Sequence, residues 1–298
     1  MDTDNLLFGK VLKEIRENKQ YTQQEISNHT MSRSNYSKME KDVVNPNVEK
    51  YFSILNYLDM NHDEFAFILN GYKLDKKDTI IHLFKTMEQI PTFDYLETLI
   101  TLSKEFLSEQ EDHLISDIYY SCCSWYALLK DHDVKKARIY AEKIWNRLKE
   151  LDKFYLSEYF LLNRILFYFE LETTVSLVDK AIEELEKYAP LYEAGQLLSQ
   201  LIINLSAVLI THKEYEKALS YTGKLLQDRK EKLDVLTLGS VYVYQAVCME
   251  RLNNPTEAQK CYDSASQLFQ TINRIDLIDE INKAPYALFN PFIQVEIH

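Results

Sequence analysis

Arg33, Ser34, Asn35, Ser37, Lys38 and Lys41 lie in one short run of chain, and their side chains are either short and polar or cationic. Such groups hydrogen-bond base edges and neutralise phosphates. The elements needed to present them are readable around them. Residues 22–41 have the pattern of two short helices joined by a tight turn. Thr22 can cap the first helix, with Glu25 three residues on at the capping-box spacing, and Ile26 supplies its inward contact. Ser32 can cap the second, in which Tyr36 and Met39 share a face. A helix with a small apolar back and a donor-rich front, braced by the helix before it, is what a major groove accepts. Taken alone, the same stretch also fits an ordinary surface helix pair.

The flanks complete a small domain. Leu6, Leu7, Val11, Leu12 and Ile15 make an apolar stripe at helical spacing upstream. Asn45-Pro46-Asn47 signals a turn and a helix start, followed by the stripe Val48, Tyr51, Phe52, Ile54, Leu55 and Leu58. Phe65, Ile68 and Leu69 mark a fifth helix. Five short helices in about seventy residues can close one core, near the lower limit for a self-standing domain.

Gly9, Ile15-Arg16, Thr22-Gln23, Ser32-Arg33-Ser34, Met39-Glu40 and Pro46 together resemble the N-terminal domain of repressor-type (XRE) helix-turn-helix regulators. The turn, read as His29-Thr30-Met31, lacks the glycine many of them carry. This shorter form, running into Ser-basic-Ser-Asn, is similar to the Rgg/GadR/MutR group of peptide-sensing regulators of Gram-positive bacteria. The resemblance implies that Gln23 sits at the start of a positioning helix, near a phosphate or base. It implies that Arg33, Ser34, Asn35 and Lys38 face the groove; Ser32, Ser37 and Lys41 complete the candidate DNA contacts on the reading of the helix itself. It also implies that Arg16 pairs internally with Glu40 and is not a DNA contact.

The chain has 298 residues, 46% of them apolar, with only five glycines and six prolines. An all-α protein is expected: a five-helix head at 1–70, a linker at 71–78 (GYKLDKKD), and a tetratricopeptide-like solenoid at 79–298. No window is expected to reach eighteen uncharged apolar residues, so no membrane span is anticipated. The acidic MDTDNLLF start lacks a secretion pattern, which predicts a cytoplasmic protein. The net charge of -12 argues mildly against DNA binding. Its distribution softens that: residues 1–50 hold eight basic and eight acidic side chains, leaving 26 and 38 in the remainder. A neutral head on an acidic body predicts weak non-specific binding and reliance on a homodimer.

Beyond the linker, apolar stripes recur near 80–87, 95–106, 114–129, 137–148, 155–169, 175–188, 197–210, 215–226, 235–252, 258–269 and 277–281. They come in pairs repeating at roughly forty residues, the signature of a helical solenoid. Ala218 and Ala258 stand at matching places, and Ala137 looks like an earlier copy. The first helix of each pair is expected to line a groove. Polar residues inside its apolar stretches are the candidate peptide contacts: Asn163, Arg164, Asn204, Tyr242, Tyr244 and Gln245. Asn amides pair with a peptide backbone, and Arg164 can take a carboxylate. The same residues can equally satisfy groups between packed helices. Residues 284–298, APYALFNPFIQVEIH, read as an apolar tail that docks on its own solenoid or on a partner subunit.

No phosphate loop, dinucleotide fingerprint, GxSxG or HExxH is present, and the seven histidines are scattered, so no enzyme, metal or cofactor is expected. Cys122, Cys123, Cys248 and Cys261 form no metal pattern and are expected reduced, and Cys122-Cys123 are not expected both to face inward. The leading expectation is a cytosolic regulator that binds double-stranded operator DNA and a short signalling peptide as a homodimer. The alternatives are a helical-repeat adaptor that recruits a protein, and a phage or plasmid repressor with no peptide ligand.

Overall fold

The computed structural model describes residues 7–87 and 91–278. It divides between Thr79 and Ile80 into two compact units. The first holds α1 (Phe8–Asn18), α2 (Gln23–Thr30), α3 (Arg33–Met39), α4 (Val48–Tyr57) and α5 (His62–Leu69). The caps read in the sequence are in place. Thr22 and Glu25 exchange both hydrogen bonds of a capping box, and Ser32 accepts from the Asn35 amide. Asn47 and Asn61 cap α4 and α5 in the same way. The turn between α2 and α3 is shorter than expected. His29 and Thr30 are helical, which leaves Met31 and Ser32. Met31 is extended (φ -166°), so this turn has no need of a glycine.

A real glycine requirement sits in α1. A Cβ on Gly9 would collide with the Met39 carbonyl oxygen and lie 2.9 Å from Glu40 Cα, so only glycine lets α1 approach the end of α3 this closely. The same approach supplies a remote helix cap. Asp42, in the left-handed region (φ 56°), accepts from the Gly9 amide at 2.6 Å, at the start of a helix with no side-chain cap of its own. Val11, Leu12, Ile15, Ile26, Tyr36, Met39, Ile54, Leu55, Leu58 and Phe65 fill the core that results.

The second unit is helical throughout its described residues: α6 (Lys76–Thr86), α7 (Phe93–Glu109), α8 (His113–Leu129), α9 (Val134–Leu148), α10 (Leu156–Ile165), α11 (Leu171–Glu186), α12 (Tyr192–Thr211), α13 (Tyr215–Arg229), α14 (Val235–Arg251) and α15 (Pro255–Thr271). Short 3-10 turns extend α10 and α13. The helices α8, α10, α12 and α14 touch in succession, and α9, α11, α13 and α15 follow them as second helices. Each second helix buries a small residue at its fourth position: Ala137, Thr174, Ala218 and Ala258. Thr174 is the copy that an alanine pattern misses. Its hydroxyl is consumed by the Leu166 and Glu170 carbonyls, which lets a polar residue serve as a small one. Between α14 and α15 the approach needs Gly239, where a Cβ would stand 2.5 Å from Phe269 Cζ.

Several expectations change here. α6 begins at Lys76, so residues 76–78 of the expected linker are helical and the boundary between units falls inside a continuous helix. Cys122 and Cys123 are both buried, because α8 packs against α7, α9 and α10 and so has more than one inward side. Burial pushes both thiols above their ordinary pKa, and Cys248 up to about 12. Among the described residues one helix, α12, is long and apolar enough to cross a membrane by composition (mean hydropathy 1.5). In this fold 78% of that stretch is buried, and it is the centre of the repeat stack. The apolar tail at 284–298 lies outside the described residues.

Candidate nucleic-acid interface and repeat surface

Helix α3 has two faces. Tyr36 and Met39 are fully buried in the head core. Ser32, Arg33, Ser34, Asn35, Lys38 and Lys41 are exposed, and Ser37 is half-buried. The packing against α2 and the buried network at its end fix how that front is presented. Arg16 donates from Nε to Glu40 Oε1 at 2.5 Å and from Nη2 to Oε2 at 3.1 Å, and from Nη1 to the Tyr21 carbonyl at 2.7 Å. Glu40 raises the Arg16 pKa above its ordinary value, mainly by accepting these bonds. The internal role expected of Arg16 is thus what the geometry has.

Gln23 has a partner that its sequence position does not announce. It is half-buried, and its Nε2 donates to Glu40 Oε2 at 2.7 Å, which makes it a third donor to that carboxylate. Gln23 thus braces the recognition helix through Glu40. Asp42, which caps α1, was not foreseen either. Its sole sequence signal is position, three residues past the last helical residue of α3.

In the repeats, the structure brings some candidates together and separates others. Asn204 of α12 donates Nδ2 to Asn163 Oδ1 of α10 at 2.8 Å and to the Asn163 carbonyl at 3.3 Å. Asn163 Nδ2 is 3.5 Å from Gln200 Oε1, one turn before Asn204. The result is an amide ladder across two first helices, and Gln200 is the member that sequence reading missed. Its signal was present, since it shares a face with Asn204 at the i, i+4 spacing. Tyr242 is half-buried and engaged with Lys230, whose ammonium is 5.8 Å from the ring and whose pKa rises through a hydrogen bond to the Tyr242 side chain. Gln245 is buried on the same helix.

Two candidates are corrected. Tyr244 is 1% exposed and belongs to the hydrophobic core, with its ionisation pushed up by burial. Arg164 turns inward too. It donates Nη2 to the Met87 carbonyl at 2.8 Å, lies 5.9 Å from the Phe84 ring, and is pushed down to about 10 by burial. Neither presents itself to a ligand, and Asn163, Asn204 and Gln245 are buried as well. The physical reason is common to both: they sit on helices packed on several sides, where a polar residue in an apolar run need not face a groove.

Residues 12–65 match the helix-turn-helix family, and residues 130–283 match the family described as the HTH-type transcriptional regulator Rgg, C-terminal domain. The fold recurs in solved structures of low sequence identity. PlcR of Bacillus thuringiensis, in complex with the peptide PapR7 and DNA, is 20% identical with a TM-score of 0.68, over 92% of this chain and 98% of that one. The SHP pheromone receptor Rgg2 of Streptococcus dysgalactiae is 14% identical with a TM-score of 0.70, over 93% and 98%. ComR of S. thermophilus, in complex with DNA and its signalling peptide, is 15% identical with a TM-score of 0.63, over 94% and 99%.

Proposed function

The chain belongs to the Rgg family of helix-turn-helix transcriptional regulators, and we propose that it works in the cytoplasm as a homodimer whose repeat unit senses a short signalling peptide. The observation that carries the DNA-binding half is α3: an exposed Ser32, Arg33, Ser34, Asn35, Lys38 and Lys41 front on a buried Tyr36 and Met39 back. Arg33, Lys38 and Lys41 supply the charge for phosphates, and Ser34 and Asn35 the hydrogen bonds for base edges. Gln23, Arg16 and Glu40 hold the helix rather than touch the duplex. A head whose residues 1–70 hold eight basic and eleven acidic side chains gains little non-specific affinity, which favours two heads on two half-sites.

The peptide half is supported by the amide ladder. Asn163, Gln200 and Asn204 lie on adjacent first helices; Asn163 and Asn204 are buried, and Gln200, half-buried, is the member of the row that borders the surface. A peptide laid over this stretch would meet Gln200, with half-buried Tyr242 on α14. PlcR and ComR, which share the fold, were crystallised with both peptide and DNA, which supports the same pair of ligands here. A peptide then acts by differential affinity for two arrangements of the heads.

The test uses the full chain and a duplex from upstream of its own gene. Arg33→Ala and Lys38→Ala together should abolish binding while helical content and thermal midpoint are kept. Retained binding would remove α3 from the interface. Sedimentation should give a dimer. Titration with short apolar synthetic peptides should give saturable binding that Gln200→Ala weakens, and absence of any such binding, with DNA binding intact, would favour a repressor without a peptide ligand.

A further inference from the structure

Charge is unevenly shared among the helices of the repeat unit. α9 carries five basic residues and one acidic, whereas α7 carries one and four, and α11 one and five. α13 and α15, the remaining second helices, sit within one charge of neutral. All four second helices bury a small residue at the fourth position and turn the opposite face to water, so packing does not call for this sign on α9. Two of its cations are paired, Lys136 with Asp131 and Arg147 with Asp117. Lys135, Arg138 and Lys143 have no carboxylate at ion-pair distance among the described residues. Lys143 instead stands 4.5 Å from the Tyr120 ring and 5.8 Å from the Tyr140 ring, which stack on one another at 6.2 Å.

The unpaired cations surround an apolar side chain. At roughly 100° per residue, the buried Ala137, Ala141, Ile144 and Leu148 form one stripe, and Ile139 points almost directly away from it. Ile139 is 57% exposed. Lys135 lies one turn before it on the outward face, with Arg138 to one side and Lys143 to the other, all exposed. An apolar centre with a charged rim is how protein contacts are composed.

The sign of the rim selects the partner. The net charge of -12 repels acidic molecules at long range, but that repulsion is screened beyond about 8 Å at physiological salt, and contacts on α9 lie inside that distance. A nucleic-acid strand would find phosphate partners but no platform for its bases, since Tyr120 and Tyr140 are engaged with each other and with Lys143. It would also meet the exposed Glu142 and gain nothing from Ile139. A protein segment can supply carboxylates and an apolar side chain together.

We propose that the outward face of α9 is a docking site for an acidic segment of another protein. An apolar side chain of that segment covers Ile139, and its carboxylates meet Lys135, Arg138 and Lys143. The site needs neither operator nor signalling peptide, and it stands apart from the regulator reading.

The test uses the full chain and a labelled synthetic helical peptide of glutamates with a leucine at each turn, read by fluorescence anisotropy. The controls are the same peptide with lysine for glutamate, and a single-stranded oligonucleotide. The acidic peptide should bind saturably. Lys135→Glu with Arg138→Glu should weaken it roughly tenfold, through two exposed pairs lost and two repulsions gained, and this effect should fade as salt rises. Ile139→Ser should weaken it roughly fivefold at every salt concentration. Lys224→Glu, the same charge change at an exposed position of α13, should leave binding unchanged. Helical content and thermal midpoint should hold in every variant. No binding of the acidic peptide, equal binding of the lysine peptide, or an equal loss in Lys224→Glu would overturn the proposal. Tighter binding of the oligonucleotide, with Ile139→Ser indifferent, would make the face a nucleic-acid contact instead. A double reversal that lowers the thermal midpoint and leaves peptide affinity intact would assign the cations to charge balance within the chain, which also overturns the site.

Discussion

Removal of the Glu40 carboxylate should loosen the head more than any other single polar change. Glu40 accepts three hydrogen bonds, two from Arg16 and one from Gln23, and is 5% exposed. Glu40→Ala leaves the Arg16 guanidinium, itself 7% exposed, without its buried carboxylate and with the exposed Glu17 at 3.2 Å from Nη2. Breaking one side of a buried pair costs about 3–5 kcal/mol. A domain of this size holds roughly 4–10 kcal/mol in all, taking about 0.05–0.15 kcal/mol per residue. The variant therefore gives up a large share of the head's stability. In the full chain, amide exchange in α1–α5 should accelerate by about two to nearly four orders of magnitude, at tenfold per 1.4 kcal/mol. Exchange in α8–α15 should not change, since those helices have a separate core. Arg16→Met with Glu40→Leu, which removes both charges, should recover much of the loss. Head exchange in Glu40→Ala within about threefold of wild type would rule out a structural role of this size for the carboxylate. So would a double variant whose loss equals the sum of the two singles to within about 0.5 kcal/mol.

Gly9→Ala should push α1 off the end of α3 and cost about 1–3 kcal/mol, read as faster head exchange and weaker DNA binding together. Gly239→Ala should do the same between α14 and α15 through Phe269, lowering the thermal midpoint of the repeat unit and leaving head exchange unchanged. Glu25 should confer an acid sensitivity on α2. The Thr22 hydroxyl and amide hold its pKa below the usual carboxylate range. A depressed folded pKa means that its contribution is complete above the unfolded value and disappears as pH falls through the folded one. Exchange protection of α2, corrected for intrinsic rates, should fall on that acid limb in wild type and be flat in Glu25→Gln.

The head was legible because its signals are local. Thr22 with Glu25, Ser32 and Asn47 each declare a helix start within four residues, and the apolar stripes between them fix the inward faces. The repeats were legible as period and pairing, although Thr174 hid one copy behind a polar side chain. Site residues fared less evenly, and the reason is packing. On α3, which buries one face, a polar residue off the apolar stripe is exposed. On α12 fourteen of twenty residues are buried, so periodicity no longer separates core from surface. That is why Asn163 and Asn204 came together as an amide pair while Arg164 and Tyr244 went into the core. The bond of Gln23 to Glu40 and the cap by Asp42 were missed for a different reason: Glu40 and the Gly9 amide are distant in sequence. Lys85 and Glu193 pair across 108 residues and left no trace in local pattern.

Whether α3 enters a DNA groove through its cationic front is decided by a salt titration of the full chain on duplex from upstream of its gene. The logarithm of affinity should fall linearly with the logarithm of salt. Arg33→Ala or Lys38→Ala should each reduce that slope by roughly 0.9 for every phosphate no longer neutralised. A slope unchanged by both substitutions, or no binding at low ionic strength, would show that α3 does not meet DNA in this way.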